Sequence, residues 1–383
     1  MPEQQTTVEV PSNPWGIPAR LQLLNEEAQL QHDDKFSPYV EDIDRETLQQ
    51  VYRTMMFTRR FDDEATALQR QGQLALWAPC KGQEAAQVGS AFATRPEDFI
   101  FPSYREHGVA ISRGIDPGEL LALFRGVNTC GWKPQDHNFQ AYTLVLAAQV
   151  PHATGYAMGL NFDADFGDER DPNSDEKPAV LAYFGDGSST EGEVHESMVF
   201  AASYNAPVLF FVQNNQWAIS VPFSTQSRVP IATRAAGYGF EGLRVDGNDI
   251  LAVVAATRYA LEKIRAGEGP VLIEAETYRL GAHTTADDPT KYRTNEELES
   301  RTLHEPIGRL EKYLRAQGTP DSFFEELMAE VKEYGASVRN SALNLQNPRF
   351  EDFFERVYAS AHPLVQEEAQ WFQEYQEGFE EQN

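Results

Sequence analysis

The segment from residue 179 to residue 216 constrains most strongly how this chain can fold. It contains two apolar runs, Ala179–Phe184 and Val208–Val212, each with the length and composition of a strand buried in a parallel sheet. The residues between the two runs predict a helix that ends near Tyr204. Its inward-facing positions would be Val194, Met198 and Ala201. The segment is therefore predicted to be one strand–helix–strand unit.

A sharp turn, Gly185-Asp186-Gly187, follows the first predicted strand. Its glycines allow the backbone to come close to a ligand, because they have no Cβ atom. Ser188 and Thr190 each precede a glutamate by three residues and offer two alternative registers of a capping box, so we expect the helix to begin here. The N–H groups at the beginning of the helix would favour an anion beside the turn.

Asp186 and Asn215 follow the two predicted strands. The second strand is expected to end at Val212, since Gln213–Gln216 is too polar to continue a core. Parallel strands end at the same sheet edge, where ligands bind, so the two side chains should meet there. Carboxylate and amide oxygens suit Mg²⁺ or Ca²⁺, and phosphates usually complete a Mg²⁺ site of this kind. Gly-Asp-Gly or Asn-Asn alone is more often structural, but together they predict a metal–diphosphate site.

Two further predicted strands lead into polar segments that carry basic side chains. Phe99–Phe101 precedes Tyr104 and Arg105, and a guanidinium matches the geometry of phosphate oxygens. A Tyr-Arg pair after a strand is by itself more often a surface ion pair. The strand Pro270–Ala275 precedes a loop that contains His283. A lone histidine in a polar loop is usually structural or solvated, but this loop leaves a strand at the same edge as the predicted metal site.

The composition excludes several classes of partner and location. The 383 residues have a net charge of −27, which argues against binding to a nucleic-acid backbone. The two cysteines, Cys80 and Cys130, form no CxxC motif, and reduced thiols in a cytoplasm fit better than a disulfide framework. The first residues lack the pattern of a signal peptide, and no apolar run approaches a membrane span. We therefore expect a cytoplasmic protein.

The combination of motifs resembles a known family. A GDG turn followed one strand–helix–strand unit later by NN resembles the thiamine-diphosphate signature. With Phe184 before it, Trp217–Ser220 after it and RQGQLALWAPCKGQEAAQVG at residues 70–89, the chain resembles the alpha chain of the decarboxylating first component of 2-oxo acid dehydrogenase complexes. The sharpest motifs lie at residues 80–108, 183–220 and 279–293.

This resemblance implies a fold and a reaction. The fold would be the α/β thiamine-diphosphate-binding fold, a parallel sheet with helices on both faces and a helical C-terminal extension. We divide the chain into an extended N-terminal arm (1–40), the α/β domain (41–315) and the C-terminal extension with its acidic tail (316–383). The reaction would be the oxidative decarboxylation of a small 2-oxo acid, with transfer of the acyl group to a lipoyl group on the acyltransferase component.

The resemblance also assigns roles to individual residues. Mg²⁺ would be bound by Asp186, Asn215 and the carbonyl group of Trp217. The diphosphate would be held by Tyr104, Arg105 and His283, and His283 would also reach the substrate channel as the catalytic group. The aminopyrimidine ring would be lined by Gly185, Gly187 and Leu146. The glutamate that activates the pyrimidine belongs to a separate beta chain in this family, so a heterotetramer of two alpha and two beta chains is implied.

Alternatives remain at this stage. The sequence SYREHG and the TTADDPTKYR loop favour a branched-chain substrate of the 3-methyl-2-oxobutanoate type over pyruvate, but a few methylenes of pocket discriminate by only about 1–3 kcal/mol. A nicotinamide-dependent oxidoreductase would need GxGxxG on a strand-to-helix turn, and residues 237–242 are predicted to form a helix-to-strand turn. A non-catalytic magnesium-binding subunit would not need Tyr104, Arg105 and His283 together.

Overall fold

A computed structural model describes residues 16–128, 130–165, 178–355 and 357–380. Within them, the strands are β1 (Arg20–Leu21), β2 (Phe99–Phe101), β3 (Val180–Gly185), β4 (Val208–Asn214), β5 (Trp217–Ala218), β6 (Val221–Pro222), β7 (Glu241–Asp246) and β8 (Val271–Glu276). Strands β5 and β6 form a small antiparallel pair after β4. The other six form one sheet in the order β1-β7-β8-β4-β3-β2, and every pair in it is parallel.

Helices connect and cover these strands. They are α1 (Arg45–Arg70), α2 (Glu84–Phe92), α3 (His107–Ser112), α4 (Pro117–Arg125), α5 (Pro134–His137), α6 (Gln149–Asp165), α7 (Gly192–Ser203), α8 (Phe223–Gln226), α9 (Ala235–Tyr238), α10 (Ile250–Arg265), α11 (Asn295–Thr302), α12 (Pro306–Ala316), α13 (Asp321–Asn344) and α14 (Pro363–Glu380). Short 3₁₀ turns at Ser37–Val40, Ser188–Thr190, Ile231–Arg234, Pro289–Lys291 and Phe350–Phe353 complete the secondary structure.

The sheet separates two apolar cores because successive side chains of a strand point to opposite faces. On β3, Leu181 and Tyr183 belong to one core, which also receives side chains from α1, α2, α4, α10, α12 and α13. Val180, Ala182 and Phe184 belong to the other core, where α6, α7 and α9 pack. The predicted fold class, a parallel sheet flanked by helices on both faces, is therefore confirmed.

The helix after the Gly185–Gly187 turn begins later than the capping boxes predict. Residues Ser188–Thr190 form a 3₁₀ turn, and α7 begins at Gly192 with Glu191 as a cap residue that makes no side-chain cap bond. The predicted capping boxes are wrong: Ser188 lies within the 3₁₀ turn, and the Thr190 hydroxyl donates to the carbonyl of Gly187 instead of capping α7. Helix α10 is capped by Asp249, whose Oδ1 atom accepts from the backbone N–H groups of Leu251 and Ala252.

Strand β4 continues through Gln213 and Asn214, which were expected to lie beyond its end. Both side chains are buried but hydrogen-bonded: Gln213 Nε2 donates to Glu106 Oε1 (2.6 Å), and Asn214 Nδ2 donates to Glu274 Oε1 (2.7 Å). The prediction failed because it treated polarity as evidence against burial, whereas a satisfied polar side chain can extend a buried strand.

The N-terminal residues that the structure describes contact the α/β core. β1 pairs with β7, and the backbone N–H groups of Leu23 and Leu24 both donate to Asp249 Oδ2 at 2.6 Å. The proposed division at residues 40 and 315 stays a prediction. In the described part of the chain, no helix combines the length and apolarity needed to cross a bilayer.

Candidate active site

Asp186 and Asn215 lie together at the carboxyl edge of the sheet, just after β3 and β4. Asp186 is only 2% exposed, and its Oδ2 atom accepts a hydrogen bond from Gln226 Nε2 (2.8 Å). Burial raises the pKa of the Asp186 carboxyl, while hydrogen bonds from Gln226 and from the backbone of Asn215 act in the opposite direction. A buried carboxylate with few partners is well suited to a cation.

The other two predicted metal ligands lie in the same short segment. Within the part of the chain that the structure describes, Asn215 Oδ1 accepts one long bond, from the backbone N–H of Trp217 (3.3 Å). The carbonyl oxygen of Trp217 accepts from Arg279 Nη1 (2.9 Å). A carbonyl oxygen has two lone pairs, so this bond leaves one of them available to a metal. The strand pair β5–β6 fixes the position of Trp217 through its pairing with Pro222.

Tyr104, Arg105 and His283 meet although 178 positions separate the last two. The Arg105 guanidinium is buried; Nη1 donates to the carbonyl of Pro79, and Nη2 donates to the carbonyl of His283 (2.9 Å). The Nη2 atom also lies 3.2 Å from His283 Nδ1. The Tyr104 ring centroid lies 5.4 Å from the guanidinium carbon and 6.3 Å from the imidazole centroid.

His283 is neutral in this environment. Burial, followed by the positive charges of Arg105 and Arg279, lowers the pKa of the His283 imidazole to about 3. A guanidinium can only donate, so the contact of Arg105 with His283 Nδ1 makes Nδ1 the acceptor and places the ring proton on Nε2. His283 therefore offers an N–H donor, and no charge, to a group at the sheet edge near neutral pH.

Arg279 is a site residue that the sequence reasoning missed. Its side chain is fully buried at the end of β8, and Nη2 donates to the carbonyl of Ile219 (2.7 Å) and to the Tyr292 hydroxyl (3.0 Å). Burial, then the repulsion by Arg105, lowers the pKa of Arg279 to about 10. The available signal was its position, since a basic residue three positions after a buried parallel strand lies at the ligand-binding edge.

The charges at this edge fit a diphosphate with a bound metal ion. Among the described residues, neither Arg105 nor Arg279 has a carboxylate within ion-pair distance, although both guanidinium groups are buried. The same residues contain no cluster of three His, Cys, Asp or Glu side chains able to hold a metal. Of the three predicted Mg²⁺ ligands, Asp186 supplies a carboxylate, and Asn215 and Trp217 supply neutral oxygens. Phosphate oxygens would therefore have to supply much of the coordination of Mg²⁺.

Comparison with known protein families decides which family this site belongs to. The model of the family described as "Dehydrogenase E1 component" matches residues 52–344, a range that includes Arg105, Asp186, Asn215 and His283. The chain belongs to the dehydrogenase E1 component family. The resemblance inferred from the sequence motifs is confirmed.

Named relatives of this E1 component agree with that assignment. It is 43% identical over 330 residues to the 3-methyl-2-oxobutanoate dehydrogenase subunit alpha of Mycobacterium tuberculosis, with 86% of this chain and 87% of that one covered. It is 35% identical over 342 residues to the pyruvate dehydrogenase E1 component subunit alpha of Acholeplasma laidlawii (87% and 95% covered). The corresponding subunit of Bacillus cereus is 36% identical over 316 residues (82% and 81% covered). These relatives support the 2-oxo acid dehydrogenase alpha class.

The same comparisons give no support to the nicotinamide alternative, and the fold argues against it. The GxGxxG sequence lies where α9 ends and β7 begins, with Gly239 in a left-handed conformation (φ 90°). This helix-to-strand order was predicted and is the reverse of a dinucleotide fingerprint. The alternative assignment is therefore no better than the E1 component.

Three residues assigned to the aminopyrimidine differ in their surroundings. A Cβ atom added to Gly187 would lie 3.0 Å from the Cβ of Ala218, so this glycine allows the turn to approach β5 closely. At Gly185 the nearest atom to such a Cβ is the carbonyl oxygen of Gln213, at 4.0 Å. Leu146 is 46% exposed in this E1 component chain. Their contact with a pyrimidine stays a prediction.

The apolar stretch that leads into α6 is only partly buried. Ala147, just before the helix, and Val150, in its first turn, are fully buried. Leu144, Val145 and Leu146 are exposed instead. Apolar composition alone does not distinguish a core segment from an exposed one.

A buried polar network contacts the backbone of Arg105. Gln87 Nε2 donates to the carbonyl of Arg105 (2.9 Å) and to Gln213 Oε1 (3.0 Å), and Gln213 in turn donates to Glu106. Glu106 also accepts from the Ser103 hydroxyl (2.8 Å), and burial raises the pKa of the Glu106 carboxyl. Sequence analysis gave no signal for this network because its members come from β4, α2 and the segment after β2.

Proposed function

We propose that this E1 component is the alpha subunit of a thiamine-diphosphate-dependent dehydrogenase of the 3-methyl-2-oxobutanoate type. It would take part in the oxidative decarboxylation of a small 2-oxo acid and in the transfer of the acyl group to a lipoyl group on an acyltransferase component. The observation that carries the proposal is the buried Arg105 guanidinium, which contacts His283 at the sheet edge and has no carboxylate partner among the described residues.

Each site residue has a definite role in this proposal. Arg105 would bind the diphosphate through its guanidinium, His283 would donate from Nε2, and Tyr104 would pack against both. Asp186, Asn215 and the Trp217 carbonyl would bind Mg²⁺. The nucleophilic carbon and the electron sink for decarboxylation would come from bound thiamine diphosphate. Burial of Arg105 and Asp186 would keep water away and strengthen their electrostatic interactions.

The proposal also includes a beta subunit. The described groups at the sheet edge suit a metal ion and a diphosphate, whereas the activating glutamate lies in a second chain in the resemblance stated above. The exposed side chains of Leu144, Val145 and Leu146 support a partner surface beside the site, because monomeric proteins rarely expose contiguous apolar patches. We propose a heterotetramer of two alpha and two beta chains, in the cytoplasm.

Pyruvate is the second candidate substrate. The relatives named after pyruvate are 35% and 36% identical, against 43% for the relative named after 3-methyl-2-oxobutanoate. This difference favours the branched-chain acid. A pocket shaped for the larger acid would disfavour the smaller acid by only about 1–3 kcal/mol. The rates on both acids therefore have to be compared directly.

The test uses the chain co-expressed with its beta subunit. We expect Asp186→Asn to weaken Mg²⁺-dependent binding of thiamine diphosphate at least about tenfold, because an interaction with a charged group contributes about 1.5–3 kcal/mol. Binding is measured by calorimetry at fixed Mg²⁺. Asp34→Asn, the same change at an exposed position, is the control and should bind as the unmodified protein does.

Substrate preference is measured with the reconstituted complex. The value of kcat/KM should be higher for 3-methyl-2-oxobutanoate than for pyruvate. Unchanged cofactor affinity in Asp186→Asn would contradict the metal assignment, and a higher kcat/KM for pyruvate would favour the second candidate.

A further inference from the structure

The Asp62 carboxylate on α1 is buried and accepts hydrogen bonds from one short segment of the chain. Its Oδ1 atom accepts from Trp77 Nε1 (2.6 Å), and its Oδ2 atom accepts from the backbone N–H groups of Cys80 (3.0 Å) and Lys81 (2.9 Å). All three donors lie in residues 77–81, which we call the bracing segment. The side chain of Asp62 is 1% exposed and forms no ion pair with any described residue.

The bracing segment supplies hydrogen-bond acceptors to the strand β2 side of the site. The carbonyl of Pro79 accepts from Arg105 Nη1, and the carbonyl of Ala78 lies 2.9 Å from His107 Nε2. His107 is fully buried and its ring stacks on Trp77 at 4.2 Å between centroids. The orientation of the Arg105 guanidinium therefore depends on where this segment lies.

The same segment also holds both ends of the His283 loop. The backbone N–H of Leu280 donates to the carbonyl of Lys81 (3.0 Å), and that of Thr285 donates to the carbonyl of Trp77 (2.9 Å). His283 lies between these two attachment points. The packing is close as well, since a Cβ atom added to Gly281 would lie 3.2 Å from the Cβ of Pro79.

We propose that Asp62 is a positioning residue that fixes Arg105 and His283 relative to each other through the bracing segment. This inference rests on the proposed function, because it concerns the same diphosphate-binding groups. A buried carboxylate without a cation partner is a costly way to stabilise a fold. Its value lies in geometry, because two carboxylate oxygens accept from three N–H groups at once and fix a segment that lacks regular secondary structure.

The test compares Asp62→Asn with Asp63→Asn. In Asp62→Asn, the new side-chain amide has one acceptor oxygen, and its NH₂ group would face an N–H donor on the other side, so at least one attachment to the bracing segment is lost. Asp63 is the adjacent residue, is exposed, and contacts only the Lys81 side chain (3.3 Å) among the hydrogen bonds observed for it. Both variants are prepared in the complex with the beta subunit.

Two quantities are measured. The first is amide hydrogen exchange of residues 279–287 without cofactor, which should become at least about tenfold faster in Asp62→Asn and stay unchanged in Asp63→Asn. The second is the affinity for thiamine diphosphate at saturating Mg²⁺, which should fall roughly 10-fold in Asp62→Asn only, as expected for a lost hydrogen bond to a charged group. When the cofactor concentration is varied, the KM for thiamine diphosphate should change more than kcat, which is the rate at saturating cofactor.

The outcomes separate the possible explanations. Unchanged exchange in residues 279–287, or equally faster exchange in the central strands β3 and β4, would overturn the positioning role and leave Asp62 as an ordinary structural residue. If the unmodified complex binds no thiamine diphosphate, the proposed function fails, while the exchange data still decide the role of Asp62. If Asp62→Asn does not fold, both measurements are made on Asp62→Glu, which keeps both acceptors but displaces them by one methylene; the same directions of change are expected, and unchanged values would again overturn the proposal.

Discussion

Replacing Arg105 by alanine tests the diphosphate assignment most directly. In the cofactor-bound protein, the guanidinium would form a charge-assisted hydrogen bond that contributes about 1.5–3 kcal/mol, which corresponds to a roughly 10- to 150-fold loss of affinity for thiamine diphosphate. Arg105→Lys keeps the charge but cannot contact Pro79 and His283 as a fork, so its affinity should be intermediate.

Arg105→Ala should also lower the stability of the protein without cofactor. The change leaves the buried carbonyl of Pro79 without this donor, at a cost of about 1–3 kcal/mol, and removes a donor from the partly buried carbonyl of His283 at a smaller cost. Removing the repulsion between Arg105 and Arg279 offsets part of this cost. The net loss of stability should therefore be smaller than the sum of the two costs.

Calorimetry with thiamine diphosphate and urea unfolding without it measure these two effects separately. Arg45→Ala, which removes an exposed arginine at the beginning of α1, is the control for the loss of one positive charge in a chain of net charge −27. A change in cofactor affinity below about threefold in Arg105→Ala, with a large loss of stability, would refute the diphosphate role and identify Arg105 as a structural residue.

Two further predictions concern pH and assembly. Because the pKa of His283 falls from 6.5 to about 3 on folding, the unfolded chain binds more protons, and the free energy of unfolding should decrease as pH falls from 6.5 towards 3. The measurement is urea unfolding between about pH 7.5 and about pH 5, a range that includes the pKa of histidine in the unfolded chain. His283→Gln should reduce the pH dependence of the free energy of unfolding, whereas His32→Gln, a change at an exposed position, should leave it as it is. The chain purified alone should show no oxo-acid decarboxylation in a CO₂-release assay and should gain it with the beta subunit; activity of the chain alone near that of the complex would indicate a homomeric enzyme.

The sequence predicted the parts of the fold that depend on local pattern. The apolar runs of β3, β4 and β8 are long and uniform enough to be recognised as buried strands. Element boundaries were less predictable where polar side chains compete for the same backbone groups, as Ser189 and Thr190 do before α7.

The candidate site was predictable only in part, for a similar reason. Asp186 and Asn215 could be placed together because parallel strands share a carboxyl edge. Arg279 could have been recognised only by its position after a buried strand, and Asp62 gave no comparable pattern, since its role depends on contacts with residues at least 15 positions away in the chain. The pattern of apolar and polar residues along a sequence does not show which charged residues are buried. It therefore cannot distinguish a charged residue that binds a ligand or holds a loop from one on the surface.

The two outer strands of the sheet affect how this protein can associate. β1 has two residues and β2 has three, so both edges offer few free backbone groups for pairing with another strand. On the outer side of β2, Ile100 exchanges hydrogen bonds with residues 138–140, which cover that edge. Short edges, of which the β2 edge is also covered, disfavour sheet extension and fibril-like stacking between copies. Subunit assembly should therefore use loops and helix faces and preserve the central sheet as a closed unit.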